Sequence, residues 1–187
     1  MNGETVLDYN DQDQLQQYTF AGNNKQYTYN NDGTLKTFKD QNNVTFTNVY
    51  NADGTLQTDG YATYTYNTDK TINTITRNSK TLTFGYDALK RVTQVKYNDA
   101  IVNNNTNGVK YTYDANDNIT SIEYPNGFKV GYEYDALDRL IRVYKFSDNS
   151  NFATYSYYND GRLNQQTNGN GTKTIYSYDS YGRVNGI

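Results

Sequence analysis

Phe84-Gly-Tyr-Asp-Ala-Leu-Lys-Arg-Val92 and Tyr132-Glu-Tyr-Asp-Ala-Leu-Asp-Arg-Leu140 share one pattern, and Tyr176-Ser-Tyr-Asp-Ser-Tyr-Gly-Arg-Val184 repeats it. Aromatic-x-Tyr places two rings on the same face of a strand, because successive side chains of a strand point to opposite faces. The Asp that follows opens a loop by capping it with its side chain, as at the first position of a type I turn. A residue able to turn left-handed then closes the loop with a bulge, and the aliphatic starts the return strand. Each stretch therefore predicts one β-hairpin.

Working outward, the same register recurs at nine anchors: Tyr9, Tyr29, Tyr50, Tyr66, Tyr86, Tyr113, Tyr134, Tyr157 and Tyr178. Their spacings are 20, 21, 16, 20, 27, 21, 23 and 21 residues, so the variation sits in the links between units. One position after the anchor comes Asn or Asp in eight units, including Asp87, Asp114, Asp135 and Asp179, with Tyr158 as the exception. Four positions after it come Asp13, Gly33, Gly54, Lys70, Lys90, Asp117, Asp138, Gly161 and Gly182. Six positions after it an aliphatic stands nine times in nine: Leu15, Leu35, Leu56, Ile72, Val92, Ile119, Leu140, Leu163 and Val184. A second apolar column follows three residues later in seven units, from Tyr18 and Phe38 to Val143 and Ile187. An odd spacing breaks strand alternation, and one extra bulged residue would return both columns to one face. The expected fold class is all-β: about nine tandem hairpins forming a twisted, coiled antiparallel strip, with one wet face and one aromatic-aliphatic face. A lone hairpin is marginal in water, so each must pair with its neighbours. Nine of them give roughly eighteen strands.

Composition agrees. Of 187 residues, 22 are Tyr, 14 are Gly and only one, Pro125, is a proline that could interrupt sheet pairing. A net charge of −3 with mixed signs argues against a nucleic-acid surface, which needs a basic stripe. No apolar run approaches a membrane span, and the first ten residues lack the apolar core of a signal peptide. With no Cys and no His, thiol chemistry and the commonest general base are missing.

The later units resemble the YD repeat, also called the RHS repeat, whose pattern is Tyr-Asp, two or three variable residues, Gly-Arg and an aliphatic. Gly161-Arg162-Leu163 keeps its second half. The resemblance is strong over 83–187, while 1–82, with Asn for Asp and Thr or Gln for Arg, resembles degenerate members; the whole of 1–187 reads as a single array. The positions that carry the repeat are Tyr29, Tyr66, Tyr86, Asp87, Arg91, Tyr113, Asp114, Tyr134, Asp135, Arg139, Gly161, Arg162, Tyr178, Asp179, Gly182 and Arg183. In the family such hairpins spiral into a hollow shell around a C-terminal toxin, and the same architecture serves adhesion in teneurins. The resemblance implies a non-catalytic scaffold and a secreted or cell-surface bacterial setting. It implies further repeats or a toxin domain of a parent protein as partners, with this chain an excised fragment or a short stand-alone version. No proline- and glycine-rich segment like the family's conserved signature is present, so no autoproteolytic Asp transfers.

Four other chemistries are open to these residue types. Hydrolysis by paired carboxylates is formally open with 20 acidic residues, but an Asp repeated at one turn position in unit after unit is structural. Asp8-Tyr-Asn-Asp-Gln-Asp13 and Asn168-Gly-Asn-Gly171 suggest calcium, yet no twelve-residue ligand loop with its terminal Glu exists, and turn capping accounts for them. The glycosylation sequons at Asn43, Asn104, Asn118 and Asn170 are chance in so Asn- and Thr-rich a chain. Arg91, Arg139, Arg162 and Arg183 could form a ladder for an anionic ligand, but pairing with carboxylates or stacking on tyrosines is the preferred account. The alternative function is a glycan-binding or adhesive surface made by the tyrosine rows; repeats of that kind usually carry Trp, which is absent. No cofactor or metal is expected, and a free strip leaves terminal edges and one apolar face uncovered, which favours self-association.

Overall fold

The computed structural model describes residues 5–97 and 108–187. The sequon at Asn104 lies outside them. The chain forms two compact units, 1–83 and 84–187. In the first, β1 (Thr5–Tyr9), β2 (Leu15–Phe20), β3 (Asn23–Tyr29), β4 (Leu35–Lys39) and β5 (Thr45–Thr47) make an antiparallel sheet in chain order. There follow β6 (Val49–Tyr50), β7 (Leu56–Thr58), β8 (Thr63–Tyr66), β9 (Ile72–Arg77) and β10 (Lys80–Tyr86), again paired in order, and the second unit begins within β10.

The second unit continues through β11 (Val92–Tyr97), β12 (Val109–Tyr113), β13 (Ile119–Glu123), β14 (Lys129–Tyr134), β15 (Leu140–Lys145), β16 (Asn151–Tyr157), β17 (Leu163–Asn168) and β18 (Lys173–Ile175). The pair β19 (Ser177–Tyr178) and β20 (Val184–Gly186) closes it. The described residues contain no helix, so the fold is all-β as expected. Among the described residues twenty strands stand where about eighteen were expected, because two strands are interrupted. At Asn48 and at Tyr176 the backbone N–H donates to the carbonyl of Lys36 or Asn164, and the ladder breaks for one residue between β5 and β6 and between β18 and β19.

The hairpin turn takes the anticipated form. In the unit of Tyr134, Asp135 N–H donates to Arg139 O and Asp138 N–H donates to Asp135 O, both at 3.0 Å. The residue four after the anchor has positive φ in all nine units, from 57° at Asp13 to 88° at Gly161. That is the left-handed residue of a type I turn closed by a bulge. The expected extra residue is present too. Tyr134 pairs with Leu140 and Glu133 with Arg142, so Ile141 is skipped, and Tyr132 then faces Val143. The bulge thus falls seven places after the anchor, between the two apolar columns, and sets both on one face. The same shift occurs beside Tyr9, Tyr29, Tyr50, Tyr66, Tyr113, Tyr157 and Tyr178.

The turn also appears in three links between hairpins, of which the sequence pointed only to the one at Asn168-Gly-Asn-Gly171, as turn capping. Asp40–Val44, Tyr124–Phe128 and Asn168–Thr172 close links between hairpins with the same two backbone bonds. Pro125-Asn126-Gly127 carries the turn residues that could have revealed the second of them.

Burial is shallow throughout. Among the described residues only Ala62, Val130, Gly131, Ala153 and Ser121 are buried, and no side chain is fully buried. Each sheet is a single layer, so its stability comes from contacts between adjacent hairpins rather than from a central core. The second face is polar in most hairpins: Thr28 meets Thr37, Thr65 meets Thr74 and Thr112 meets Ser121, each with oxygens 2.6 Å apart. One region departs from this. On the polar face of β14 and β15 the Tyr144 ring occupies the space over Gly131. Arg142 lies 4.3 Å from the Tyr144 ring, and Phe146 stacks beside it with Lys129 at 3.9 Å. Gly131 has no Cβ to block the ring.

Candidate functional site

The residues singled out in sequence converge on one structure, the joint between consecutive hairpins. Its first part is the anchor hydroxyl. Tyr29 donates to the carbonyl of Leu15, Tyr50 to Leu35 and Tyr66 to Leu56 at 2.8–2.9 Å. In the second unit Tyr113 donates to Val92, Tyr134 to Ile119, Tyr157 to Leu140 and Tyr178 to Leu163 at 2.7–3.0 Å. Every acceptor is the aliphatic six places after the preceding anchor. The two most regular columns of the sequence are therefore the two ends of one hydrogen bond. Partial burial raises the tyrosine pKa at Tyr113, Tyr134 and Tyr157, so the hydroxyl keeps its proton for donation.

The arginine column forms the second part. Arg91 Nε donates to Asp87 Oδ2 at 2.7 Å in its own turn, and its guanidinium lies 4.7 Å from the Tyr113 ring of the next hairpin. Arg139 does the same between Asp135 (2.7 Å) and Tyr157 (4.5 Å). Arg162 stacks on Tyr178 at 4.6 Å, but with Tyr158 in the Asp position it bonds Asp160 instead, at 2.6 and 2.9 Å. Arg183 bonds Asp179 at 2.7 Å and lies near Tyr181 of its own turn. Carboxylate pairing and tyrosine stacking, offered by the sequence as alternatives to a ligand ladder, occur together on the same side chain. Arg139 draws the Asp135 carboxyl below the usual carboxylate range, and the Arg139 and Leu137 amides add to this against some burial.

In the early units the charged pair has a neutral counterpart that sequence reasoning missed. Asn30, Asn51 and Asn67 donate through Nδ2 to the hydroxyls of Thr34, Thr55 and Thr71 at 2.9 Å. The covarying Asn and Thr four residues apart were the available signal. Capping there shifts two residues on: Asp32 Oδ1 accepts from the Thr34 amide at 3.0 Å and from its hydroxyl at 2.6 Å. In the Asp units the predicted residue caps directly. Asp87, Asp114, Asp135 and Asp179 each accept two amide bonds at 2.9–3.1 Å.

Non-glycine residues at the left-handed position also have a function in the joint. Asp117 accepts from Arg91 Nη1 at 2.7 Å, Asp138 accepts from Asn116 and Asn118 at 2.9 and 2.8 Å, and Lys70 Nζ donates to Asp53 O at 3.1 Å. Gly161 and Gly182 take the same conformation, at φ 88° and 78°, without these links. Tyr86 ends β10 and Asp87 begins the next turn, both in the repeat position read from sequence.

The third part is register. In each of the eight links, the residue eight after one anchor pairs with the residue three before the next: Gln17 with Gln26, Thr37 with Thr47, Thr58 with Thr63 and Thr74 with Thr83. The second unit continues with Gln94 and Lys110, Ser121 and Gly131, Arg142 and Thr154, and Gln165 and Ile175. Spacings from 16 to 27 residues leave this register unchanged.

The sequence of residues 105–147 matches the RHS repeat family. This stretch is an RHS repeat. The hairpins on either side repeat the joint found within it. No curated protein matches the chain by sequence. Among solved structures, the crystal structure of TcdB2-TccC3-Cdc42 is similar over 97% of this chain with a TM-score of 0.59 and 16% identity. TcdB2-TccC3 alone gives 0.59 at 15% over 97%, and the Photorhabdus luminescens Tc holotoxin pore gives 0.56 at 15% over 96%. These likenesses concern the fold. The chain spans 13% of the length of each of those chains.

No three Asp or Glu residues among those described are grouped to hold a metal ion. Asn10 and Asn168, from the two clusters that suggested calcium, occupy turns of the common type. Among the described residues there is no helix long and apolar enough to cross a membrane.

Proposed function

We propose that the chain is a non-catalytic structural scaffold, a segment of an RHS-type wall that encloses a toxin or presents a surface. The observation that supports this reading most directly is the constant joint: hydroxyl, carbonyl and register are conserved through links of different length. Residues repeated for holding neighbours together are not free for chemistry. The single-layer sheet, with few buried side chains, suits a wall more than an enzyme body. A secreted or cell-surface bacterial setting, with further repeats or a toxin domain as partners, belongs to the same proposal.

Glycan binding by the anchor tyrosines is the weaker reading, because their hydroxyls are engaged and arginines cover rings of Tyr113, Tyr157 and Tyr178. The test is to express the chain with its flanking coding sequence and follow proteolysis of the polypeptide that comes after it. Protection that depends on the repeats supports enclosure; digestion at the rate of the free polypeptide rejects it. Saturable binding on a glycan array, lost when Tyr124 and Phe128 are changed to alanine, would favour the adhesive reading instead.

A further inference from the structure

We propose that the aromatic row of Tyr124, Phe128 and Phe152 is a binding site for an organic cation, a trimethylammonium group carried by a free solute or displayed as a headgroup on a surface. The inference does not rest on what the array encloses.

Phe128 lies between the other two rings, its centroid 6.1 Å from that of Tyr124 and 6.2 Å from that of Phe152. The rings are inclined to one another by 33° and 52°, and all three are about two-fifths exposed. Tyr124 and Phe128 line an open cavity of about 490 Å³ with Pro125 and Asn126.

The repeat requires none of these rings. Tyr124 opens a link turn whose counterparts open with Asp40 and Asn168, and Phe128 stands where those turns have Val44 and Thr172. Backbone bonds hold the turn, from Tyr124 N–H to Phe128 O at 2.8 Å and from Gly127 N–H to Tyr124 O at 2.9 Å. Phe152 is the residue skipped where β15 pairs with β16, between Asn151 and Ala153. Exposed aromatics clustered where the fold needs none mark an interaction site.

The rest of the molecule shows what such rings receive. In the first unit Phe38, Phe46 and Tyr61 stack in a row at 5.8 and 4.4 Å, and Arg77 closes that row 4.4 Å from the Tyr61 ring. In the second, Arg91, Arg139 and Arg162 lie on Tyr113, Tyr157 and Tyr178. Among the described residues no cation lies on Tyr124, Phe128 or Phe152, and the neighbouring lysines are held elsewhere. Lys129 sits 3.9 Å from the Phe146 centroid, Lys110 bonds Glu123 at 3.1 Å and Lys145 bonds Asp148 at 2.6 Å. The negative ring faces are left for a cation from outside.

The polar groups nearby narrow its kind. A primary ammonium or a guanidinium has N–H donors that must be satisfied when it leaves water. Glu123 and Asp148 are engaged by Lys110 and Lys145, and Asn126 Oδ1 accepts from the Phe128 amide at 3.0 Å. A trimethylammonium group has no N–H and needs only ring faces, the means by which aromatic cages hold quaternary ammonium ions.

The test is a choline chloride titration of the full chain, isotope-labelled at its seven phenylalanines and followed by nuclear magnetic resonance. The Phe128 and Phe152 signals should shift together and saturate with a dissociation constant on the order of 1 mM, while those of Phe38 and Phe46 stay in place. Dimethylbutanol, the neutral isostere in which carbon replaces the ammonium nitrogen, should bind roughly threefold to fivefold more weakly, as should ethanolamine. Phe128→Leu keeps the apolar bulk without the ring and should weaken choline by a similar factor, whereas Tyr124→Phe should leave it unchanged. Circular dichroism checks the fold of both variants, and the comparison of choline with its isostere needs no variant. Phosphocholine distinguishes the sources: binding as tight as that of choline supports a displayed headgroup, and weaker binding supports a free solute. No saturable shift up to about 30 mM choline, roughly thirty times the expected constant, overturns the proposal. An isostere that binds as tightly as choline overturns it, because the site is then only apolar. Binding of an uncharged oligosaccharide at these rings in place of choline overturns it equally.

Discussion

Tyr157→Phe removes one oxygen and leaves the ring beneath Arg139 in place. The hydroxyl donates at 2.7 Å to the carbonyl of Leu140, and the guanidinium stands 4.5 Å from the ring centroid. The substitution therefore separates the hydrogen bond from the stacking. A neutral bond of this kind contributes about 0.5–1.5 kcal/mol net, and the half-exposed setting places the cost near 1 kcal/mol. Tyr157→Ala loses the bond, the ring contacts and the cation–π contact together. A buried aromatic truncated to alanine costs about 3–5 kcal/mol, and partial burial brings this to roughly 2–3 kcal/mol. Tyr181→Phe is the control: Tyr181 is 83% exposed, and its loss should lie within about 0.5 kcal/mol of zero. Urea unfolding followed by tyrosine fluorescence and circular dichroism gives all three, with the slope of each transition checked for constancy. If Tyr157→Phe proves as neutral as Tyr181→Phe, the anchor hydroxyl does not hold the joint, and the column of tyrosines needs another explanation.

Arg139→Met keeps an apolar stem but loses the link between Asp135 and Tyr157, and should cost about 1 kcal/mol in the same urea assay. In a double-mutant cycle its effect should couple to that of Tyr157→Ala but not to that of Tyr29→Ala in the other unit. Gly161→Ala forces a Cβ onto a backbone at φ 88° and should lower stability by about 1 kcal/mol, whereas Asp13→Gly, at φ 57°, should raise it by a similar amount. Gly131→Ala should cost more than Gly161→Ala, because its methyl would occupy the place of the Tyr144 ring; a smaller loss in calorimetry would mean that the ring can swing away. The pH dependence follows from the turn carboxylates. The Arg139 bond lowers Asp135, the Arg162 bond lowers Asp160, and for Asp179 the Arg183 amide lowers it first and the Arg183 side chain further, against some burial. A depressed pKa stabilises the fold above the ordinary carboxylate range, and that stability is lost as pH falls through the lowered values. With no His in the chain, thermal stability should be level between about pH 5 and 8 and decline below about pH 4. A transition near pH 6.5 would contradict this.

Much of the structure was legible in the residues because it is local. Whether Asp13, Lys90 or Gly161 stands four places after the tyrosine, the turn needs a residue that accepts positive φ, and that requirement shows in the sequence. The bulge could be inferred from the three-residue offset between Leu140 and Val143, since alternation admits no other way to share a face. The linker turn at Tyr124–Phe128 was harder to see, because it begins with an aromatic where the other turns begin with Asn or Asp.

The sequence by itself determined the hairpin, its turn and its two apolar columns, because each depends on neighbours within about ten residues. It could not say what the tyrosine hydroxyl bonds, since Leu140 lies 17 residues before Tyr157 and a backbone carbonyl leaves no mark on side-chain identity. Nor could it choose between pairing and stacking for Arg139, which does both because Asp135 shares its turn while Tyr157 arrives from the next hairpin. The constant register across links of unequal length was decided only by tertiary structure. It is imposed by the joint itself, where hydroxyl, guanidinium and ladder must meet at once, and a slip of one residue would turn every tyrosine to the opposite face.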